Sequence, residues 1–217
     1  MQYQLAIFDL DGTILDTLED LYLAVNYALR ECSLPERSRE EVRQFLGNGM
    51  LHLIQCSVPQ GSDEALVSRT AALFNAFYAK HCTDHTKPYE GIPALVAELR
   101  AAGMQTAVVS NKPDYGVQQL IADHFPSLFD CAAGEREGVR RKPAPDAVNA
   151  VLTALSVPRE CAVYIGDSEV DIETAKQAGM PCISVDWGFR SAQFLTEAGA
   201  QRIVSSTEEL KQLLLTT

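Results

Sequence analysis

Basic residues are scarce in this chain of 217 residues: 18 Lys and Arg stand against 29 Asp and Glu, for a formal net charge of −11. Surfaces that bind nucleic acids or anionic membranes need basic patches, and the longest basic run extends only from Arg140 to Lys142. We therefore expect no nucleic-acid partner and no membrane partner. A local cationic site remains compatible with an acidic chain.

Paired cysteines and long apolar stretches are also absent. The six cysteines are widely spaced, without a C-x-x-C pair or the neighbouring histidines typical of zinc sites. The first ten residues, MQYQLAIFDL, contain no basic segment and reach an acid at Asp9, unlike a signal peptide or a membrane span. We expect free thiols and a cytoplasmic protein that is a monomer or a homodimer.

Short apolar runs recur along the chain and predict buried strands, and helical patterns separate most of them. Alternation of strand and helix indicates parallel crossovers, so the predicted fold is α/β, with a parallel sheet covered by helices on both faces. The runs are Leu5 to Leu10, Gln105 to Ser110, Cys161 to Gly166, Pro181 to Asp186 and, more weakly, Gln201 to Ser206.

A stretch of about seventy residues interrupts this alternation. Between Asp16 and Pro88 three helical patterns follow one another, and no buried-strand run separates them. We predict a core formed by residues 1–15 and 89–217, with residues 16–88 inserted as a separate helical domain.

Polar residues cluster where the predicted strands end. Ligands of open parallel sheets bind at the carboxyl ends of the strands, so we expect these clusters to meet at one edge. They are Asp9-x-Asp11-Gly12-Thr13, Ser110-Asn111-Lys112, Lys142-Pro143 in a loop, and Gly166-Asp167-Ser168 with Asp171 after it.

The first cluster holds two acids that should converge, because residues two apart on a strand point to the same side. Two converging carboxylates repel each other unless a cation, a shared proton or solvent compensates. The alternative is a polar strand end in which Asp11-Gly12 is an ordinary turn.

Three acids around one crevice, Asp9, Asp11 and Asp167, favour a hard divalent cation, and Mg²⁺ suits carboxylates that share it with a phosphate. Lys142 and Ser110 would add a charge and a hydroxyl donor for an anion. Phosphoryl transfer can use one aspartate to attack phosphorus and another to move a proton. The alternatives are that Ser110 begins a helix, that Lys142 is a solvated loop residue and that Ser168 and Asp171 form a capping box.

In this order the motifs resemble those of the haloacid dehalogenase superfamily of aspartyl phosphotransferases. The matching segments are DLDGT (Asp9 to Thr13), VVSN (Val108 to Asn111), KP (Lys142 and Pro143) and GDSEVD (Gly166 to Asp171). The resemblance implies a Rossmann-like core with an all-helical cap inserted after the first motif, at residues 16–88. Its dehalogenase members lack an acid matching Asp11, so this chain resembles the phosphatase branch.

The resemblance also implies roles for these residues. Asp9 would be the nucleophile and Asp11 the general acid and base, while Ser110 and Lys142 would grip the phosphoryl group. Mg²⁺ would be held by the carboxylates of Asp9 and Asp167 and by the backbone carbonyl of Asp11. Asp171 would orient Lys142 or a metal-bound water. We assign Gly12, Thr13 and Asn111 to substrate binding.

The predicted cap contains Gly47-Asn48-Gly49, which should break a helix. This loop either presents Asn48 to the organic part of a substrate or simply links two helices. The segments VRQFLGNGM and VVSNKPDYG most resemble phosphoglycolate phosphatases, which implies a small anionic phosphate ester as substrate, 2-phosphoglycolate first. Phosphosugar phosphatases, a pyrophosphatase, a phosphosugar mutase and a non-catalytic binding protein on the same fold are the alternatives.

Overall fold

The computed structural model describes residues 3–215, which divide into two compact units. One unit comprises the residues up to Leu15 together with those from Pro88 onward, and the other comprises Asp16–Lys87. In chain order the elements are β1 (Leu5–Phe8), β2 (Leu15–Asp16), α1 (Leu18–Glu31), α2 (Arg39–Phe45), α3 (Met50–Ser57), α4 (Glu64–His81), β3 (Lys87–Pro88), α5 (Ile92–Ala101), β4 (Gln105–Pro113), α6 (Asp114–His124), β5 (Cys131–Glu135), α7 (Asp146–Leu155), a 3₁₀ turn (Arg159–Cys161), β6 (Ala162–Gly166), α8 (Glu169–Ala178), β7 (Cys182–Val185), α9 (Ala192–Glu197), β8 (Ile203–Val204) and α10 (Thr207–Leu215).

A six-stranded parallel sheet in the order β5-β4-β1-β6-β7-β8 forms the centre of the first unit. Residues of β1 alternate between two buried clusters: Ala6 and Phe8 pack with α5, α6 and α10, while Leu5 and Ile7 pack with α7 and α8. This alternation follows from the two-residue period of a strand. The prediction of an α/β fold with helices on both faces of a parallel sheet is confirmed.

Four elements of this unit differ from the sequence-based expectation. The edge strand β5 has the sequence CAAGE, whose small residues give no apolar run, and α9 and α10 were not predicted. β4 extends through Asn111 to Pro113 rather than ending at Ser110, so the expected loop residues are part of a strand.

The second unit is helical. Four helices, α1 to α4, occupy it, and α2 begins at a capping box in which Ser38 and Glu41 exchange hydrogen bonds. Gly47 and Gly49 both have positive φ, 110° and 82°, and they separate α2 from α3, as glycines at such conformations favour. Asn48 lies half-buried in this connection.

Two short strands, β2 and β3, pair with each other where the chain passes from one unit to the other. Across residues 3–215, none of the helices combines the length and the apolar character that a bilayer crossing requires.

Candidate active site

Three neighbouring strands bring the predicted motifs to one edge of the sheet. Phe8, the last residue of β1, lies opposite Val108 of β4 and Ile165 of β6. Because the strands are parallel, Asp9 and Asp167 follow β1 and β6 at the same carboxyl edge, and Ser110, two residues after Val108 within β4, lies at this edge as well. The backbone N–H of Asp9 continues the pairing by donating to the carbonyl of Ile165 at 2.8 Å.

Lys142 contacts two of the acids at this edge of the sheet, Asp9 and Asp171. Its Nζ is 2.8 Å from Asp9 Oδ1 and 2.8 Å from Asp171 Oδ1, and it donates to the Tyr164 hydroxyl at 3.1 Å. Only 4% of Lys142 is exposed, so the alternative of a solvated loop lysine is wrong. Asp171 therefore contacts Lys142, one of the two partners that the family resemblance implied for it.

Asn111 holds the backbone of Lys142 in place. Its Oδ1 accepts from the Lys142 N–H at 2.8 Å, and its Nδ2 donates to the Lys142 carbonyl at 3.1 Å. Both residues are buried. These two hydrogen bonds fix the backbone of Lys142 and therefore the position of its Cα. The Asn111 side chain thus contacts Lys142.

Three carboxylates form a group with ligand oxygens within 4.8 Å of one another: those of Asp9, Asp167 and Asp171. The sequence had placed Asp11 with Asp9 and Asp167. Instead the Asp11 carboxylate pairs with Lys112, whose Nζ lies 2.9 Å from Oδ1. Asp11 differs from Asp9 because it lies in the loop beyond the strand end, where the two-residue alternation no longer applies.

Asp171 reaches the cluster from the first turn of α8. The expected capping box is present, since the N–H and hydroxyl of Ser168 donate to Asp171 Oδ2 at 3.1 and 2.6 Å. Helix capping and orientation of Lys142 therefore use different oxygens of one carboxylate. Ser110, by contrast, does not begin a helix, because it lies within β4 and α6 starts at Asp114.

Burial dominates the electrostatics of the cluster. Burial and the charge of Asp171 outweigh the attraction of Lys142 and raise the pKa of Asp9 to about 7. Burial and then the charges of Asp171 and Asp9 hold the pKa of Asp167 well above its usual range. Burial opposes the charge of Lys142, but Asp171 and Asp9 overcome it and raise the pKa of Lys142 far above its ordinary value.

The donor set suits a hard divalent cation. Burial and mutual repulsion raise the pKa values of Asp9 and Asp167 even though Lys142 contacts Asp9, so a bound cation would favour their ionised forms. Oxygen-only ligands favour Mg²⁺ or Ca²⁺. Two glycines let the backbone approach Asp167 closely: a Cβ on Gly12 would lie 2.8 Å from the Asp167 Cγ, and one on Gly188 would lie 2.6 Å from its Cβ.

Gly12 and Thr13 shape the loop around Asp167. Gly12 has φ +86°, and its N–H donates to the carbonyl of Leu15, while the N–H of Thr13 donates to that of Leu10. The Thr13 hydroxyl donates to Asp167 Oδ1 at 3.1 Å. Both backbone donors are therefore engaged within the loop.

Sequence reasoning missed several residues of this site. Lys112 follows Ser110 and Asn111 in the sequence, but that position predicts no role for it, and Tyr164 lies in an apolar run that predicts only a buried strand. The loop after β7 was not considered, although it also leaves the carboxyl edge of the sheet. Its Phe189 N–H donates to Asp167 Oδ2 at 2.7 Å, and its Trp187 Nε1 donates to the Thr13 carbonyl at 3.1 Å.

Two further predicted site residues, Ser110 and Asn48, remain to be described. The Ser110 hydroxyl accepts a hydrogen bond from the Lys112 N–H at 3.2 Å, and Ser110 is buried. Asn48 belongs to the helical unit, and its part in a substrate site stays a prediction.

Comparison with known proteins shows the family. A profile of haloacid dehalogenase-like hydrolases matches residues 6–185. A phosphoglycolate phosphatase of Cereibacter sphaeroides is 34% identical over 213 residues, which cover 96% of each chain. A crystal structure of a candidate phosphoglycolate phosphatase from Lactobacillus delbrueckii subsp. bulgaricus superimposes with a TM-score of 0.96, at 40% identity and with full coverage of both chains.

A third relative has a bound ligand. The CbbY protein of Rhodobacter sphaeroides, as a mutant in complex with xylulose 1,5-bisphosphate, is 28% identical with a TM-score of 0.74, over 96% of each chain. The profile covers most of the sequence, and the relatives share nearly its whole length. This chain belongs to the haloacid dehalogenase-like hydrolases, and within them it is similar to phosphoglycolate phosphatases.

Proposed function

We propose that this enzyme is a Mg²⁺-dependent phosphatase that hydrolyses a small anionic phosphomonoester, with 2-phosphoglycolate as its preferred substrate. In the proposed reaction the phosphoryl group is transferred to Asp9 before it is released. One observation carries the proposal: the buried Asp9 carboxylate lies 2.8 Å from Lys142 Nζ at the carboxyl edge of the sheet, in a group with Asp167. The groups proposed as nucleophile, as cation for the phosphoryl oxygens and as metal ligand would thereby be adjacent.

Asp9 and Asp167 would hold Mg²⁺ through their carboxylates and Asp11 through its backbone carbonyl. The bound ion would offset the charge of these carboxylates and of the phosphoryl group. A carboxylate attacks only when it is ionised, and burial disfavours that form of Asp9 by raising its pKa to about 7. The proposed metal requirement thus agrees with the electrostatics of the protein itself.

The proposed reaction has two steps. An oxygen of Asp9 forms a bond to phosphorus as the ester oxygen leaves, and Asp11 gives that oxygen a proton, which releases the alcohol. Water then attacks phosphorus and gives a proton to Asp11 as the bond to Asp9 breaks. The second step releases inorganic phosphate and restores both aspartates to their starting forms.

The remaining predicted residues support this chemistry in different ways. Lys142 and Ser110 would bind the phosphoryl oxygens, and Asn111 would act by holding Lys142 in position. Gly12 and Thr13 would act by shaping the loop that surrounds Asp167. In the cap that we propose for residues 16–88, Asn48 would contact the organic part of the substrate.

A substrate panel tests the proposal. The purified protein is assayed with Mg²⁺ on 2-phosphoglycolate, p-nitrophenyl phosphate, a pentose bisphosphate and pyrophosphate. Phosphoglycolate should give the highest kcat/KM, and Asp9→Asn should abolish turnover of every compound. The pentose bisphosphate is the second candidate substrate, because CbbY was crystallised with xylulose 1,5-bisphosphate. A higher kcat/KM for this compound would contradict the proposed substrate but not the proposed phosphatase reaction.

Trapping of the covalent intermediate tests the roles of the two aspartates. With p-nitrophenyl phosphate, whose leaving group needs no acid, Asp11→Asn should release about one product per site and then stall with phosphate on Asp9. Acid quenching and peptide mapping by mass spectrometry would locate the phosphate. Label on Asp11, or no phosphoenzyme in this variant, would contradict the assignment.

The role of Asn48 has its own control. Asn48→Ala should lower kcat/KM for phosphoglycolate more than for p-nitrophenyl phosphate, whereas Asn75→Ala, an exposed asparagine of α4, should change neither. An equal loss on both substrates would argue against a specificity role.

A further inference from the structure

Lys112 is a buried cation that the proposed mechanism does not use. It lies in β4, two residues after Ser110, and only 2% of it is exposed. Its Nζ donates to Asp11 Oδ1 at 2.9 Å, and the side chains of the pair are 1% and 17% exposed. The lysine therefore reaches the proposed acid–base residue from within the protein.

Such a burial needs a physical reason, because an ammonium group loses its hydration when it leaves water. The bond to Asp11 offsets part of that loss. Gly116 of α6 lies beside the aliphatic stem, because a Cβ added there would be 3.5 Å from Cδ and 3.6 Å from Cγ of Lys112. The ammonium thus reaches Asp11 from a strand next to a helix rather than from a loop.

The Asp11 side chain is less constrained by its own surroundings than the Lys112 side chain is. It lies in the loop after β1, and its carboxylate is partly exposed. A free carboxylate there would sample several rotamers, while proton transfer needs one oxygen within hydrogen-bond reach of the ester oxygen. A displacement of about 1 Å in such a group lowers the rate by about 100-fold.

We propose that Lys112 is a positioning residue for Asp11. It binds Oδ1 and so orients the carboxylate with Oδ2 as the oxygen that exchanges the proton. Lys112 acts through Asp11 and does not contact the phosphoryl group. This inference rests on the proposed role of Asp11 as acid and base.

A double-mutant cycle tests the inference. Lys112→Met, Asp11→Asn and the double variant are compared in kcat for 2-phosphoglycolate with saturating Mg²⁺. Lys112→Met should lower kcat at least about 10-fold with little change in KM, because a mispositioned acid slows the chemical step. The double variant should be no slower than Asp11→Asn alone, because the lysine has nothing left to position.

The leaving group supplies a readout that a purely structural role would not move. The phosphorylation step of Lys112→Met, measured as a burst, should be within about threefold of wild type for p-nitrophenyl phosphate, whose leaving group needs no proton. The same step should be slowed at least about 10-fold for phosphoglycolate. Lys176→Met is the matched control, because Lys176 also pairs with a carboxylate, that of Glu173, but on the surface; it should behave as wild type.

Each other outcome has a defined meaning. Losses that multiply in the double variant, a rise in KM alone, or equal slowing on both substrates would overturn the inference. A fully active Asp11→Asn would instead overturn the proposed function. If melting shows that Lys112→Met does not fold, Lys112→Arg takes its place in the same cycle, where a displaced charge should lower kcat with the same non-additivity and leaving-group dependence.

Discussion

Replacing the proposed nucleophile should stabilise the metal-free protein. Asp9→Asn removes a carboxyl whose pKa burial raises from an ordinary 3.8 to about 7. A rise of about three pKa units corresponds to about 4 kcal/mol of folding free energy lost when the group is ionised, at about 1.4 kcal/mol per unit. The asparagine carries no such charge, and it also relieves Asp167, whose pKa the charge of Asp9 helps to raise.

The sign and the pH range follow from the direction of this shift. An acid whose pKa is higher in the folded state contributes stability that is present below its unfolded pKa and is lost as the pH rises through the folded pKa. Wild type without metal should therefore lose stability from about pH 4 to about pH 7. The difference between Asn and Asp should be about 4 kcal/mol at pH 8 and about 2 kcal/mol at pH 5 before other losses.

One loss reduces this gain. The attraction of Lys142 is already contained in the pKa of about 7, and Lys142 retains Asp171 as a partner at 2.8 Å. The loss comes instead from the buried asparagine amide, which costs about 1–3 kcal/mol where its N–H groups find no acceptor. We expect a net stabilisation of about 1–3 kcal/mol at pH 8, which corresponds to a rise in Tm of about 3–10 °C for a protein of this size.

Thermal unfolding in EDTA at pH 8 and pH 5 measures this effect. Asp123→Asn, which removes an exposed aspartate of α6, controls for the loss of a charge as such and should change Tm little at either pH. A variant at residue 9 that is no more stable than wild type at pH 8, or whose advantage does not shrink at pH 5, would refute the electrostatic reasoning.

Three further outcomes are expected. Chelation should abolish turnover and Mg²⁺ should restore it, while Ca²⁺ should inhibit because its larger and more flexible coordination shell misplaces Asp9; full activity in EDTA would exclude the metal assignment. Gly12→Ala should cost about 2 kcal/mol or more and weaken Mg²⁺ binding, whereas Gly103→Ala, at a similar φ of +89° but with open space around it, should show only the backbone cost of about 1–2 kcal/mol. Asn111→Ala should destabilise the fold by about 1–3 kcal/mol and lower kcat, since both backbone groups of Lys142 lose a partner, and Asn111→Asp, which retains the acceptor, should fall between the two; equal behaviour of alanine and wild type would contradict the positioning role.

The sequence was informative wherever burial on both faces imposed a pattern. Leu5, Ile7 and Phe8 predicted β1 because a central parallel strand is apolar throughout. β5 could not be found in the same way: at the edge of the sheet its CAAGE segment pairs with only one neighbour and needs no large side chains.

The site was predictable to the extent that strand ends determine it. Asp9 and Asp167 follow β1 and β6, and Ser110 lies two residues after Val108, the β4 partner of Phe8, so parallel topology alone brings them to one edge. The partner of Asp11 was not predictable, because the conformation of a loop side chain depends on what it meets in three dimensions. Lys112 is 101 residues away from Asp11 in sequence and reaches it only because β4 continues past Ser110.

The hydrogen bond from Trp187 to the Thr13 carbonyl makes the protein its own optical probe. Trp187 is the single tryptophan of the chain, and its indole N–H is bound to the loop that also carries Asp11 and Gly12. Indole emission responds to the loss or gain of such a bond and to a nearby change in charge. Tryptophan fluorescence, excited where the seven tyrosines absorb little, therefore reports without a label on the surroundings of Trp187, which include this loop, and should allow metal and phosphate binding to be titrated even in variants that do not turn over.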